Sequence, residues 1–523
     1  MKAHLLFADR DTGLSVTFTP RAGFSVSGPA LPQGAGDLVA DLEIETMLGA
    51  MANGDELLFE IANYTLLSSL ADPSEVAYRQ EILKDCLAYP AVAREIYAIT
   101  LAAIVREQGI YRPYGEHPSG VLRRSVEVLG IFVDLLKRLR QIADLNAGTM
   151  KSKGMRTLFS MLSEDLTDDY FNAIDEHLER LKFKGGVEVS ARLGKGNRGT
   201  GYVLRRPVRN AKRSWRERIG LSPQSTYSFQ LAPRDEAGSR FLSELNDRGQ
   251  DLAANSLAQS TDHILGFFRM LCIEIGFYAS CLNLYDHLTA KGEPTCMPRP
   301  HPSTQATLGF RGIYDVCLAL RSEHRLVGND ANADAKTLVM ITGANSGGKS
   351  TLLRAIGLAQ LMMQCGMFVG AEAFSASVAA GVFTHFVRQE DETMASGKLD
   401  EDLARMSLLA DSIGHHSMVL FNESFGATNE REGSEIACQI VEALIESGVK
   451  VLFVTHQFTL ASTLYSRRLE QALFLRAERA KGGHRSFKLA EGGPLPTSFG
   501  EDLYHRIGGF NSVCSATRPV VDA

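Results

Sequence analysis

The sequence has little of what would decide a protein's class at once. Of 523 residues, one is tryptophan and 17 are proline. Its eight cysteines are Cys86, Cys272, Cys281, Cys296, Cys317, Cys365, Cys438 and Cys514, and none forms a Cys-x-x-Cys pair. That excludes a disulfide scaffold and a zinc module, and reads as reduced, mostly buried thiols. Charge of one sign is scarce too: 55 Lys and Arg stand against 61 Asp and Glu, a net charge of −6. Nothing global therefore points to nucleic acid, and any DNA-binding surface must be local. Long apolar runs are missing. The most membrane-like stretch, Ile264 to Tyr285, is interrupted by Arg269 and Glu274 and reads as a buried core helix. The opening MKAHLLFADRD lacks the apolar stretch of a signal peptide. The expectation is a cytoplasmic protein with no membrane partner. No repeat of fixed period occurs. What remains, 45% apolar and 22% charged residues, is an ordinary globular balance in a chain long enough for several cores.

Texture divides the chain. Residues 1–36 read as short strands or an arm. From Asp37 the pattern turns helical, with Ile44, Met47, Leu48 and Met51 on one face. Helical patterns cover roughly 56–71, 73–109, 118–146 and 151–183, with Pro73 and Pro90 at starts or breaks. Residues 184–235 form a Gly-rich, basic excursion, and helix resumes over 236–292. A Pro-rich segment, 293–304, reads as a linker. Beyond it, over 305–523, apolar runs at Leu338–Thr342, Met418–Phe421 and Val449–Thr455 alternate with helical patterns. That alternation predicts a mostly parallel sheet covered by helices. Ala472–Arg479 and His484–Ala490 flank Lys-Gly-Gly and read as a hairpin. The fold class is thus α followed by α/β.

Three motifs carry chemistry. Gly343-Ala344-Asn345-Ser346-Gly347-Gly348-Lys349-Ser350 fits G-x-x-x-x-G-K-[ST]. A strand precedes it, and a helix follows with Leu352, Ile356, Ala359 and Met363 on one face. Glycines there let backbone N–H groups converge on phosphates, and the helix dipole favours the anion. Lys349 would reach the β- and γ-phosphates, and the Ser350 hydroxyl would ligate Mg²⁺. The second motif is Met418-Val419-Leu420-Phe421-Asn422-Glu423, an apolar strand ending in a polar pair. Asn422 stands where a Mg²⁺-holding Asp is usual, so it brings an oxygen but no charge. Glu423 keeps the general-base role. The third is Val454-Thr455-His456, where a His at a strand end can donate to the γ-phosphate.

Together these resemble the MutS family of mismatch-repair ATPases. The matching text is TGANSGGKSTLLRAIGLAQLMMQCGMFVGAE, then MASGK, MVLFNESFGATNEREG and LFVTHQFTLA, in that order. The resemblance is strong over about 305–470 and continues weakly into PLPTSFGEDLY at 494–504. Over 37–290 it is one of general character to the helical core and lever, best at Tyr78-Arg79-Gln80. It implies a helical core and lever joined to an ABC-type P-loop ATPase domain. It implies ATP and Mg²⁺ held by residues Gly343 to Thr351, water activated by Glu423 and the γ-phosphate sensed by His456. It also implies a homodimer that binds DNA. Departures are plain. Asn422 replaces the family's Asp. Leu399-Asp400-Glu401-Asp402 follows MASGK where the family has a serine-rich trans signature. Leu326 falls where the family's adenine-stacking aromatic would. No Phe-x-Glu wedge is found ahead of the glycine loop, so mismatch reading is not carried over with the ATPase.

Lys182 to Arg218 holds twelve Lys or Arg and two Glu. Arg205, Arg206, Arg209, Lys212, Arg213 and Trp215 are the candidate DNA contacts, since such clusters grip phosphates and aromatics stack on bases. The alternative is a solvated loop. The leading reading is an ATPase that couples ATP to gripping mismatched or otherwise structured DNA. The alternative is a nucleotide-gated DNA- or protein-binding switch with little hydrolysis. A transporter subunit or SMC-like ATPase fits less well, because LSGGQ and long heptad arms are missing. A fourth reading makes the helical half a protein-binding scaffold.

Overall fold

The computed structural model describes residues 1–110, 117–184, 186–205, 230–232, 234–343, 347–388, 397–479 and 485–495. It opens with an antiparallel hairpin of β1 (Ser15–Thr19) and β2 (Gly23–Ser27). Helices follow: α1 (Ala35–Asp41), α2 (Ile44–Ala52), α3 (Glu56–Leu67), α4 (Pro73–Ala88), α5 (Pro90–Gly109), α6 (Pro118–Asn146), α7 (Lys153–Asp165) and α8 (Asp168–Leu181). The starts are written in the sequence. The carboxylates of Asp55 and Asp72, and the hydroxyls of Ser152 and Thr167, accept from otherwise orphaned amides in the first turns of α3, α4, α7 and α8. Within the helical pattern over 73–109 the break falls at Pro90 as expected: the chain bends by 101° between α4 and α5. Pro90 has no N–H and biases Tyr89 away from helical torsions. The stretch 151–183 likewise divides at the Thr167 cap.

The described part of the basic segment is a second hairpin, β3 (Val189–Leu193) with β4 (Gly199–Leu204). It lies against α9 (Glu236–Ala290), a helix of 55 residues. Contact is close enough that a Cβ on Gly249 would sit 2.6 Å from Val189. The apolar part of α9 has the length and composition of a membrane span, yet most of it is buried inside the protein. It packs on α5 and α6, with Phe132 against Phe268 at 5.3 Å.

The remaining elements are β5 (Arg299–His301), β6 (Leu308–Ile313), α10 (Val316–Arg321), β7 (Asn329–Asn332), β8 (Leu338–Thr342), α11 (Lys349–Gln364), β9 (Ala373–Ser377), β10 (Val382–Phe386), α12 (Lys398–Ala410), β11 (Met418–Asn422), α13 (Glu430–Glu446), β12 (Lys450–Val454), α14 (Phe458–Ser466), β13 (Ala472–Arg479) and β14 (Arg485–Glu491). The main sheet runs β10-β11-β12-β8-β13-β14, parallel throughout except for β14 at its edge. A smaller sheet runs β5-β9-β6-β7. The Pro-rich segment 293–304 is therefore part of a sheet: β5 pairs with β9, and Cys296 bridges Val369.

Strand side chains alternate between two cores. Leu338, Met340, Val419, Phe421, Val451 and Phe453 face α13 and α14. Val339, Ile341, Leu420, Leu452 and Val454 face a core that runs without a break into the helical half. Burial on both faces is why these strands read as unbroken apolar runs. The N-terminal segment is inserted into that continuous core, with Ala3, Leu5 and Leu6 fully buried. The Tyr278 hydroxyl donates to Leu5 O at 2.6 Å and the Arg79 Nε to Leu6 O at 2.8 Å. Glu274 accepts the amides of Leu5 and Leu6, and burial raises its carboxyl to about 7. Arg79 also donates to Cys365 O at 3.4 Å, at the C-terminal end of α11.

Candidate functional site

The parallel sheet gathers the three sequence motifs. β8, β11 and β12 are neighbours, so residues leaving their C-terminal ends converge on one crevice. That is the usual ligand position of an open α/β sheet. Gly343 leaves β8 at φ +115, and a Cβ there would lie 2.9 Å from the Ala477 amide on β13. Only glycine fits both the torsion and the space. Gly348, at φ +88, is the N-cap of α11. Ala344, Asn345 and Ser346 lie outside the described residues. Lys349 is buried, and its ammonium donates to Gly343 O at 2.9 Å, back across the glycine loop. Thr351 is half-buried one residue past Ser350.

The Ser350 hydroxyl donates to Asn422 Oδ1 at 2.8 Å. Two oxygens from α11 and β11 therefore converge beside the N-terminus of α11. The donor set is neutral and small, and it suits a hydrated Mg²⁺ that keeps several of its own waters.

Next to Asn422 the chain turns sharply. Glu423 has φ +57 and Phe425 φ +60, left-handed torsions that cost non-glycine residues energy. The Glu423 amide donates to Val454 O at 2.9 Å, which ties the exit of β11 to β12. Its carboxylate Oε2 accepts from the His456 amide at 3.0 Å and meets His456 Nδ1 at 2.5 Å. That contact raises the imidazole above its ordinary value, mainly through the hydrogen bond to Glu423. His456 is half exposed while Glu423 is mostly covered. A carboxylate and an imidazole thus sit side by side at the ends of β11 and β12, and β12 is the neighbour of β8.

Beside the glycine loop opens a cavity of about 430 Å³, lined by Tyr314, Leu318, Leu326, Val327, Thr351 and Phe487 among others. Leu326, the residue that falls where the family's adenine-stacking aromatic would, is part of this wall. Phe487 went unnoticed. It sits on β14 at φ +55, with half of its surface exposed. Asn329 fixes it there: its Nδ2 donates to Phe487 O at 3.1 Å, and its Oδ1 accepts from the Leu489 amide at 2.8 Å. The hairpin was legible in the sequence, but its pairing with β8, which carries it to the glycine loop, was not. The cavity offers an aromatic ring, a leucine and a few polar atoms, which suits a planar base.

Of the candidate DNA contacts, Arg205 is described. It is exposed and donates through Nε to Ser190 at 2.8 Å on the β3–β4 hairpin. Arg206, Arg209, Lys212, Arg213 and Trp215 lie outside the described residues. The hairpin and the crevice are not neighbours along α9. About 40 residues of helix separate Gly249 from Lys291, roughly 60 Å at the helical rise. At its far end Lys291 donates to Ala319 O, Leu320 O and Ser322 O, and Glu293 accepts from the Leu326 amide. One helix therefore links the basic hairpin to the wall of the cavity.

Two family models match the chain: the MutS2 N-terminal domain over residues 71–291 and MutS domain V over residues 339–520. Among curated proteins, the DNA mismatch repair protein MutS of Chlorobium chlorochromatii is 27% identical over 272 residues, covering 49% of this chain and 31% of that protein. That of Thermus aquaticus is 31% identical, over 36% of this chain and 23% of its own. That of Thermotoga maritima is 36% identical, over 26% and 17%. The matched part thus spans less than a third of the length of these relatives. With both its helical half and its α/β half matched, this chain belongs to the MutS family.

Proposed function

We propose that the chain binds ATP with Mg²⁺ in the crevice at β8, β11 and β12, hydrolyses it, and couples the cycle to DNA binding. The observation that carries this reading is the convergence of Lys349, Ser350–Asn422 and Glu423–His456 on one sheet edge, next to a base-sized cavity. The triphosphate would lie along the glycine loop at the N-terminus of α11, where backbone amides and the helix dipole favour anions. The base would enter between Leu326 and Phe487. When bound, Mg²⁺ neutralises charge developing on the β- and γ-phosphates. Ser350 and Asn422 would hold it. Lys349 would turn from Gly343 O to the phosphates. Glu423 would take the proton from the attacking water, and His456 would shift from Glu423 to the γ-phosphate.

DNA is the proposed partner because the relatives named above are DNA mismatch repair proteins and because the 182–218 stretch is locally basic. A second copy of the chain would complete the assembly, in keeping with the family. The test is steady-state phosphate release from ATP with and without duplex and branched DNA, using Lys349→Ala as the blank. Turnover above the blank that changes with DNA supports the reading. Turnover at the blank level sinks it and leaves the second reading, a nucleotide-gated switch. Asn422 favours that alternative, since a neutral amide stands where charge would draw Mg²⁺ into place.

A further inference from the structure

The turn carrying Glu423 has left-handed torsions at Glu423 and Phe425; buried Gln457 donates to Phe425 O at 3.4 Å, and a second buried side chain, His385, holds the middle of the turn. His385 sits near the end of β10, in register with Phe421 of β11. It has no exposed surface. Its Nδ1 lies 2.9 Å from Ser424 Oγ and its Nε2 lies 3.0 Å from Asp402 O on α12. Its ring stacks on Phe425, with centroids 5.1 Å apart and planes at 18°. Ser424 Oγ also lies 2.5 Å from His385 O, to which its hydroxyl can donate. Ser424 is flanked by the two left-handed residues, Glu423 and Phe425.

The protons can be assigned from chemistry. A main-chain carbonyl only accepts, so Nε2 carries the proton that reaches Asp402 O. Burial, with Arg405 nearby, holds the imidazole below its ordinary value and keeps it neutral. Nδ1 is then an acceptor, and the Ser424 hydroxyl divides its proton between Nδ1 and His385 O. One neutral histidine therefore grips the middle of the turn and, on its other side, the first turns of α12. Arg405 Nη1 adds a bond from α12 to Phe386 O at 2.9 Å. On its outer side α12 meets the N-terminal segment: Gln33 donates to Leu408 O at 3.4 Å and accepts from Ser412 at 2.8 Å. A shift of α12 has a direct route to Glu423.

We propose that His385 is a positioning residue that ties α12 to the turn carrying Glu423, so that the placement of α12 regulates water activation at that site. The proposal rests on the hydrolysis reading above. Strained torsions persist only where their surroundings over-determine them. Removing the grip lets the turn relax and swings the carboxylate away, with no contact to the base or to the glycine loop disturbed.

The test compares the full chain with His385→Leu, His385→Gln, Ser424→Ala, Glu423→Gln and the double variant His385→Leu/Glu423→Gln. ATP turnover and the Kd of a fluorescent ATP analogue are read for each. His385→Leu is expected to lower kcat at least tenfold with Kd within twofold. His385→Gln, which can both donate to Asp402 O and accept from Ser424, is expected to recover most of that loss. Ser424→Ala keeps the core intact and gives the loss independently if the leucine variant fails to fold. The double variant is expected to be no slower than Glu423→Gln alone, because the histidine acts through that carboxylate. A wild type no faster than Lys349→Ala overturns the hydrolysis reading and the proposal with it. A wild type well above that blank, with His385→Leu and Ser424→Ala equally fast, overturns the proposal alone. Additive losses in the double variant, or equal losses in Kd and kcat, do so as well.

Discussion

Glu423→Gln is the sharpest perturbation of the proposed chemistry. Glutamine keeps the length of the side chain and one oxygen that can accept from the His456 amide, now at 3.0 Å. What disappears is the negative charge and the capacity to take a proton. General-base contributions of this kind are worth about 10²- to 10⁴-fold in rate. At 1.36 kcal/mol per decade that is roughly 3–5 kcal/mol of transition-state stabilisation. Nucleotide affinity is expected to stay within about twofold, since Glu423 is not among the residues lining the 430 Å³ cavity. Single-turnover phosphate release and equilibrium binding of a fluorescent ATP analogue separate the two. A side effect is also expected. His456, released from the carboxylate that raises it, titrates nearer the ordinary imidazole value, which ring-proton NMR reads directly. A variant that turns over within twofold of wild type refutes the base assignment. One that loses affinity and rate together shows that Glu423 holds the nucleotide instead.

Asn422→Asp adds a negative charge beside the Ser350 hydroxyl, 2.8 Å away. Turnover is expected to rise and the Mg²⁺ needed for half-maximal rate to fall in a magnesium titration; an unchanged rate means residue 422 does not limit the reaction. Phe487→Ala removes a ring from the cavity wall, and nucleotide Kd is expected to rise about three- to tenfold, the worth of a stacking contact of about 1 kcal/mol. Unchanged affinity would take the base elsewhere. The His456–Glu423 pair also predicts a pH dependence. Because the folded state raises the imidazole pKa, the pair's stabilisation is complete below the ordinary histidine value. It disappears as pH climbs through the raised value. The melting-temperature gap between wild type and His456→Asn should therefore shrink from pH 6 to pH 9. The gap is small throughout, since His456 is half exposed and the pair is screened. A gap that is flat or widens with pH contradicts the pairing.

Local chemistry was the legible part. The glycine loop, the apolar runs at β8, β11 and β12 and the long helices α6 and α9 announce themselves through spacing and periodicity. Glu274 stood out as the acid interrupting the apolar stretch of α9, and the structure gives it an occupation: it accepts the amides of Leu5 and Leu6. That pairing spans almost 270 positions, and no local pattern foretells it. The same holds for Phe487, which depends on β13 pairing with β8, and for His385, which depends on β10 lying beside β11. Pro90 marked one break in advance, while the one at Thr167 stayed hidden for another reason. A helical period survives across a bend, and only the cap marks it there. The stretch 293–304 looked like a linker because proline disfavours central strands. It is a strand all the same, only three residues long and at the edge of its sheet.

The proposed chemistry depends on a nucleotide seated on the glycine loop, so binding of ATP in the presence of Mg²⁺ is the most direct test. Equilibrium titration of the full chain with a fluorescent ATP analogue should give saturable binding at one site per chain, weakened at least tenfold by Lys349→Ala. Binding that never saturates, or that is indifferent to Lys349→Ala, would contradict the account at its root.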